Sequence, residues 1–269
     1  MITKPLPFKK LNLNETVGLL FDVDELLSSN RREIHQAYKV LMESLGVSVF
    51  PDEDFKGKDL FEILTRLKEK YGVTDPLETL VQKRRQIYLK IVENSSLQAC
   101  VGVKELFNFF ENQRNKLNVR IGYVTSSEKA MTDIVLAKLF EFIGMSYYVD
   151  KPNDFFYQND GVLASTCWES PLKKKPSPQL YQLTMDKMNI QPQQCIAFED
   201  SLSGCLAAIK AGANVVVIPS GDEQALVELI EKFENRVIRF NSLIDFVPYL
   251  NLLPQIAPMD QETLCNETR

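Results

Sequence analysis

Val17-Gly18-Leu19-Leu20-Phe21-Asp22-Val23-Asp24 is the stretch on which the reading of the whole chain turns. Residues 17–21 carry no polar side chain, the pattern of a short strand buried on both faces of a parallel sheet. Side chains alternate along a strand, so Asp22 and Asp24 are expected to share a face and emerge together at its carboxyl end. Open α/β sheets bind their ligands at that edge. Two adjacent carboxylates repel, and burying them without a counter-charge is costly; a divalent cation is one direct remedy. Read alone, the pair also fits a strand that ends in a solvated acidic turn.

Working outward, the pattern changes at once after Asp24. From residue 30 to about 98 only helical periodicity is found. Asn30 is placed to cap a helix with Ile34, Ala37, Tyr38, Leu41 and Leu45 on one face, stopped by Gly46. Leu60, Phe61, Ile63, Leu64 and Leu67 mark a second helix. Asp75-Pro76 opens a third as N-cap and first helical residue, with Leu80, Ile87, Tyr88 and Ile91 inward. From about Val101 strands and helices alternate. Val119–Val124, Cys195–Phe198 and Asn214–Ile218 read as strands. Helices are expected around Val103–Phe110, from Ser127, from about Leu202 to Ala211 and from Gln224 to Phe233. This alternation predicts an α/β fold: a Rossmann-like parallel sheet covered on both faces, with an all-helical cap inserted after its first strand. The expected division is a core of residues 1–29 and 99–269 and a cap of 30–98. The polar stretch from about Pro254 reads as frayed.

Global properties narrow the chemistry. A chain of 269 residues that is 45% hydrophobic suffices for one core domain plus an insert. Its net charge of −5 points away from nucleic acid and acidic membrane as partners. No apolar run approaches the roughly 18 residues of a membrane span. Residues 1–14 are polar and lysine-bearing without a signal-peptide core, which suggests a cytoplasmic location. The five cysteines are odd in number and none pair at metal-knuckle spacing, against a disulfide framework or zinc site; Cys195 and Cys205 read as buried thiols. The single histidine, His35, argues against Ser-His-Asp or Cys-His catalysis, so an acid or base here is expected to be a carboxylate. Neither a Gly-x-Gly-x-x-Gly nor a Gly-Lys-Ser/Thr loop is present.

Three further segments fall on the same sheet edge as the Asp pair. The strand ending at Val124 runs into Thr125-Ser126-Ser127, where a hydroxyl and the N–H groups of a helix start could hold an anion, or simply cap the helix. Lys173-Lys174-Lys175-Pro176-Ser177-Pro178 precedes another helix, so Lys175 could point its charge at the same anion, or belong to a solvated face. The strand ending at Phe198 runs into Glu199-Asp200-Ser201, which offers hard oxygen ligands suited to Mg²⁺. Each signal is modest; their occurrence together and in this order is specific.

In Phe21-Asp22-Val23-Asp24, Val124-Thr125-Ser126, Lys175-Pro176-Ser177-Pro178 and Phe198-Glu199-Asp200-Ser201, with Gly204 and Ala207-Ala208, the chain resembles the haloacid dehalogenase superfamily, in its β-phosphoglucomutase-like subgroup. The likeness spans roughly residues 17 to 250. It implies Asp22 as the nucleophile that takes up a phosphoryl group and Asp24 as the acid/base. It implies Mg²⁺ on the Asp22 carboxylate, the Asp24 backbone carbonyl and Asp200, with Glu199 in or near that shell. Thr125 and Lys175 would hold phosphoryl oxygens; Ser126, with Lys58 and His35 on the cap, are candidate substrate contacts. Dehalogenases lack the second aspartate, so Asp24 favours phosphate chemistry.

The departures from the family pattern are informative. Glu25 stands where Gly is usual. Ile34 occupies the position of the mutases' histidine, and Leu60 that of their phosphate-binding arginine. These losses favour a Mg²⁺-dependent phosphatase of a small phosphorylated metabolite such as a sugar phosphate, acting through an aspartyl-phosphate; a monomer is expected. A sugar phosphomutase is the nearest alternative, and a catalytically idle binding module on the same fold a further one. Asp150–Trp168 is read as a flap over the site or a surface hairpin.

Overall fold

The apolar run forms the interior strand β1 (Val17–Phe21), buried at all five positions. The computed structural model describes residues 6–47, 60–113, 116–127, 129–145, 173–221 and 223–253. Beside β1 lie β4 (Val119–Tyr123) and β5 (Cys195–Glu199), followed outward by β6 (Asn214–Val217) and β7 (Val237–Arg239), in the order β4-β1-β5-β6-β7. All four pairings are parallel, and Leu19 is in register with both Ile121 and Ile196. Numbered within this sheet alone, the order is 2-1-3-4-5, a doubly wound arrangement that reverses direction at β1. The carboxyl end of β1 is therefore the place where a crevice opens and a ligand can sit.

Alternation along β1 sorts its side chains into two cores. Leu19 and Phe21 join a cluster with Ile121, Phe198, Phe107, Phe110, Phe140 and Phe246. This cluster is covered by α4 (Val103–Gln113), α5 (Lys129–Ile143) and the short α9 (Leu243–Phe246). Phe21 stacks on Phe198 at 4.5 Å between ring centroids. On the other face Leu20 packs with Ala197, Val215, Val217, Tyr181 and Met185 under α6 (Gln179–Met188), α7 (Leu202–Ala211) and α8 (Glu223–Lys232). Cys195 and Cys205 are buried there as thiols. With hydrophobic cover on both sides, the continuous apolar run of β1 is accounted for.

Between β1 and α4 the chain makes a detour. Two short antiparallel strands, β2 (Ser28–Ser29) and β3 (Gln98–Ala99), bring it out and back at one place. Between them stand α1 (Arg31–Ser44), α2 (Leu60–Tyr71) and α3 (Leu77–Glu93). These helices have their own core of Tyr38, Leu41, Met42, Ile63, Leu64, Leu67, Leu80 and Val81. Ile34 and Ile87 pack against both this cluster and the one under α4 and α5. No described helix is long and apolar enough to cross a membrane.

Helix starts differ in detail from the sequence expectation. The third helix begins at Leu77 with Pro76 as N-cap, because Asp75 is committed elsewhere: its carbonyl accepts from Lys68 Nζ and its carboxylate pairs with Lys83 Nζ. The helix expected from Ser177-Pro178 begins at Gln179, whose N–H donates to Ser177 Oγ at 3.4 Å. Asn30 sits at the start of α1 but gives it no side-chain cap; its amide is drawn to Asp24 instead. A charged acceptor close by is a stronger partner for the amide than solvent is.

Gly102 supplies a stability test of this architecture. Its φ is +93°, and an added Cβ would lie 2.0 Å from the backbone nitrogen of Ile244. Neither a left-handed alanine nor a shifted backbone is cheap there. Gly102→Ala is expected to lose about 2–4 kcal/mol in urea denaturation. Wild-type stability in that variant would contradict the packing of α4 against α9.

Candidate active site

Four loops at the carboxyl edge of the sheet meet around a buried lysine. Lys175 Nζ donates to Asp22 Oδ1 at 2.6 Å, to Glu199 Oε1 at 2.6 Å and to the Val124 carbonyl at 2.7 Å. These partners follow or end β1, β5 and β4 respectively, so one ammonium ties together three adjacent strands. Burial alone would lower the pKa of Lys175; the carboxylates of Asp22 and Glu199 overrule it and hold the group above the ordinary lysine range. The cation is thus locked on, which a solvated lysine run would not require.

Asp22 continues the ladder of β1 through its N–H, which donates to the Phe198 carbonyl. Its carboxyl is pushed well above the usual range by burial. Lys175 opposes that rise, whereas Glu199, Asp200 and Asp24 add to it. Asp200 is raised to about 7, first by burial and then by Glu199, against the pull of its Ser220 hydrogen bond and of Lys175. Asp22, Glu199 and Asp200 each bring a carboxylate oxygen within 4.8 Å of the others. Three acids around one ammonium leave an excess of negative charge at low dielectric.

Glu199 is fully buried, and its two oxygens have different surroundings. Oε1 accepts from both Lys175 and the hydroxyl of Tyr181, whereas Oε2 has no hydrogen-bond partner among the described groups. Gly204 lies directly against this carboxylate: an added Cβ would come within 1.8–2.3 Å of its atoms. An orphaned buried carboxylate oxygen, an all-oxygen donor set and unbalanced negative charge fit a hard divalent cation. Asp22, Asp200 and Glu199 are the residues that could hold one.

Asp24 stands at the same strand end with partners of its own. Its carboxylate is not in the acidic cluster. Oδ1 accepts from Asn30 Nδ2 at 2.5 Å, and Oδ2 accepts from Ser127 Oγ at 2.5 Å and from Thr125 Oγ1 at 3.4 Å. Strict alternation would have required the strand to continue, but β1 stops at Phe21 and the chain turns back through an isolated bridge between Asp24 and Ser28. The two carboxylates consequently sit at one strand end with different neighbours, Asp22 facing Lys175 and Asp24 facing the β4 loop and the start of α1.

Thr125 is buried, and its Oγ1 accepts the N–H of Ser127 while reaching towards Asp24. Ser127, expected only as a helix cap, contributes its hydroxyl to Asp24 instead. Ser126 is half-buried beside it, and His35 is half-buried on α1, one turn beyond Arg31. Lys58 and Asp150–Trp168 lie outside the described residues. The structure adds Tyr181, Asn30, Tyr88 and Ser220 to the site. Tyr88 OH accepts from the same Asn30 amide that binds Asp24, which links α3 to the acid pair.

Comparison with known proteins agrees with this geometry. The model of the haloacid dehalogenase-like hydrolase family matches residues 17–212. Protein CbbY of Rhodobacter capsulatus is 25% identical over 218 residues, 77% of this chain and 86% of the relative. The phosphorylated carbohydrates phosphatase of Thermotoga maritima is 26% identical over 216 residues, 78% of this chain and 90% of the relative. A variant of CbbY from Rhodobacter sphaeroides, solved with xylulose-1,5-bisphosphate, superposes with a TM-score of 0.67 over 86% of this chain and 96% of that one, at 19% identity. With four loops converging on Asp22 and Lys175, and a family match that runs from β1 through α7, the chain belongs to the haloacid dehalogenase-like hydrolases.

Proposed function

We propose that this hydrolase is a Mg²⁺-dependent phosphatase that removes the phosphoryl group of a small phosphorylated metabolite, with a phosphorylated sugar as the substrate class. The observation that carries the reading is the Lys175 ammonium held between Asp22 Oδ1 and Glu199 Oε1 inside the acidic cluster. It fixes one oxygen of Asp22 and leaves the other to attack. The name of the Thermotoga relative and the sugar bisphosphate bound by the Rhodobacter sphaeroides neighbour support the substrate class.

Asp22 attacks phosphorus, the bond to the leaving oxygen breaks, and Asp24 delivers a proton to that oxygen. Asp24 then takes a proton from water as the water attacks phosphorus, which releases phosphate and regenerates Asp22. Ser127 and Asn30 keep the Asp24 carboxylate in place for both transfers. Thr125 and Ser126 border the space where phosphoryl oxygens would lie, and Lys175 neutralises their charge. Mg²⁺ held by Asp22 and Asp200, with Glu199 beside them and the Asp24 backbone carbonyl as a further donor, would supply charge neutralisation and in-line orientation. Helices α1–α3 would act as a lid over this edge, joined to the core at β2 and β3, that excludes water during transfer. His35 and Lys58 are its candidate substrate contacts.

Apolar packing favours a phosphatase over a mutase. Ile34 is wedged between two hydrophobic clusters, and Leu60 packs on the core of the helical block. Neither position offers a polar group to retain a second phosphate. Asp24→Ala is expected to lower turnover by about 10²–10⁴-fold; a change under about threefold would remove Asp24 from the proton-transfer role. The proposal as a whole is tested by phosphate release from a panel of phosphorylated sugars with Mg²⁺ and with excess EDTA. Release that stops in EDTA is expected. Interconversion of monophosphates after priming by a bisphosphate, without net phosphate release, would establish the mutase instead.

A further inference from the structure

Glu25 is the departure in the first motif that the chemistry above does not use, and it holds an uncommon backbone. Its φ is 63°, left-handed for a residue with a side chain. Its carboxylate explains what is gained. Oε1 accepts the N–H groups of Asn30 at 3.0 Å and Arg31 at 2.6 Å, which caps the first turn of α1 from outside the helix. It satisfies two donors at the helix start, while the Asn30 side chain turns to Asp24. Oε2 lies 3.4 Å from Arg31 Nε. Held by its backbone and its side chain on one carboxylate, Arg31 is aimed across the crevice. Its terminal nitrogen donates to Ser220, to the carbonyl at 3.3 Å and to Oγ at 3.2 Å. Ser220 Oγ in turn donates to Asp200 Oδ2.

The direction of this chain of bonds matters. A serine hydroxyl has one proton. With an Arg31 N–H occupying an acceptor position on Oγ, that proton is directed to Asp200. One Asp200 oxygen is thereby fixed and the other is left for the acidic cluster. We propose that Arg31 and Ser220 are positioning residues for Asp200, anchored by Glu25, so that the start of α1 sets the divalent-cation affinity of the core site. The proposal rests on the cation reading of the preceding section. It gives Glu25 a purpose: the side chain stabilises a turn that glycine would make more easily, and it does so to orient Arg31. The Arg31 side chain is 45% exposed, so its ion pair adds little to folding by itself. Its effect belongs at Asp200, and cation affinity is the quantity that reports it.

The test is Mn²⁺ binding to the full chain without substrate, followed by the paramagnetic resonance signal of the unbound ion. Groups that orient a metal ligand are commonly worth ten-fold or more in affinity. Ser220→Ala is expected to weaken binding about tenfold and Ser220→Thr, which keeps the hydroxyl, to restore it. Arg31→Ala and Glu25→Gly are expected to weaken it about three- to tenfold, and Arg31→Ala should add little in a Ser220→Ala background. Affinity within twofold of wild type in Arg31→Ala and Glu25→Gly, beside clear wild-type binding, would overturn the positioning role alone. A wild-type chain that binds no Mn²⁺ would overturn the cation reading, and this inference with it.

Discussion

Asp22→Asn is expected to reduce turnover by about 10⁴-fold or more while leaving the protein folded. The substitution keeps the shape of the side chain and removes only its nucleophilic charge. No second carboxylate stands in its place: Glu199 is committed to Lys175 and Tyr181, Asp200 to Ser220, and Asp24 to Asn30 and Ser127. Lys175 keeps Glu199 and the Val124 carbonyl as partners, so the core of the site should persist. Thermal unfolding and steady-state kinetics measured together separate the two effects. An Asp22→Asn protein that is folded and turns over within about tenfold of wild type would remove Asp22 from the centre of the mechanism.

Lys175→Met should damage both folding and catalysis. It removes the only cation in contact with Asp22 and Glu199 among the described residues, and both carboxylates remain buried. Breaking a buried ion pair from one side costs about 3–5 kcal/mol, because the remaining charges lose their partner without regaining water. The same change withdraws a pre-organised positive charge from the phosphoryl site, and about 10²–10³-fold in turnover is expected from that alone. Denaturation curves in EDTA and in Mg²⁺ are the informative pair. The loss of stability should be larger in EDTA, where nothing else neutralises the carboxylates. A Lys175→Met protein as stable as wild type in EDTA would contradict the buried charge network.

Much of this was legible in the sequence because it depends on local regularities. Alternation along Val17–Phe21 sorts side chains to two faces regardless of what covers them, and helical periodicity from Ile34 to Leu45 survives in α1. Three of the four motif segments lie at strand ends and the fourth precedes a helix, so a correct assignment of elements places them on one edge. What was not legible depends on partners far apart along the chain. Tyr181 carries no signature of its own; it joins the site because a fully buried hydroxyl must find an acceptor, and Glu199 is the one within reach. Ser127 and Asn30 follow local capping rules in sequence and break them in space, since the Asp24 carboxylate competes for both. Alternation brings Asp22 and Asp24 to one strand end but cannot name their partners: β1 ends at Phe21, and the turn through Glu25 gives the two side chains different neighbours. Strand β7 has only three residues at the sheet edge, too few for a pattern.

Asp22 itself is expected to carry the phosphoryl group during turnover. Acid quenching during turnover of a phosphorylated sugar, followed by borohydride reduction and peptide mass spectrometry, reads this out, because reduction of an aspartyl-phosphate leaves homoserine at the modified position. Homoserine is expected at position 22 and nowhere else, in greater yield when Asp24→Asn slows hydrolysis of the intermediate. Homoserine at another aspartate, or a substrate-consuming protein with none at position 22, would contradict nucleophilic attack by Asp22.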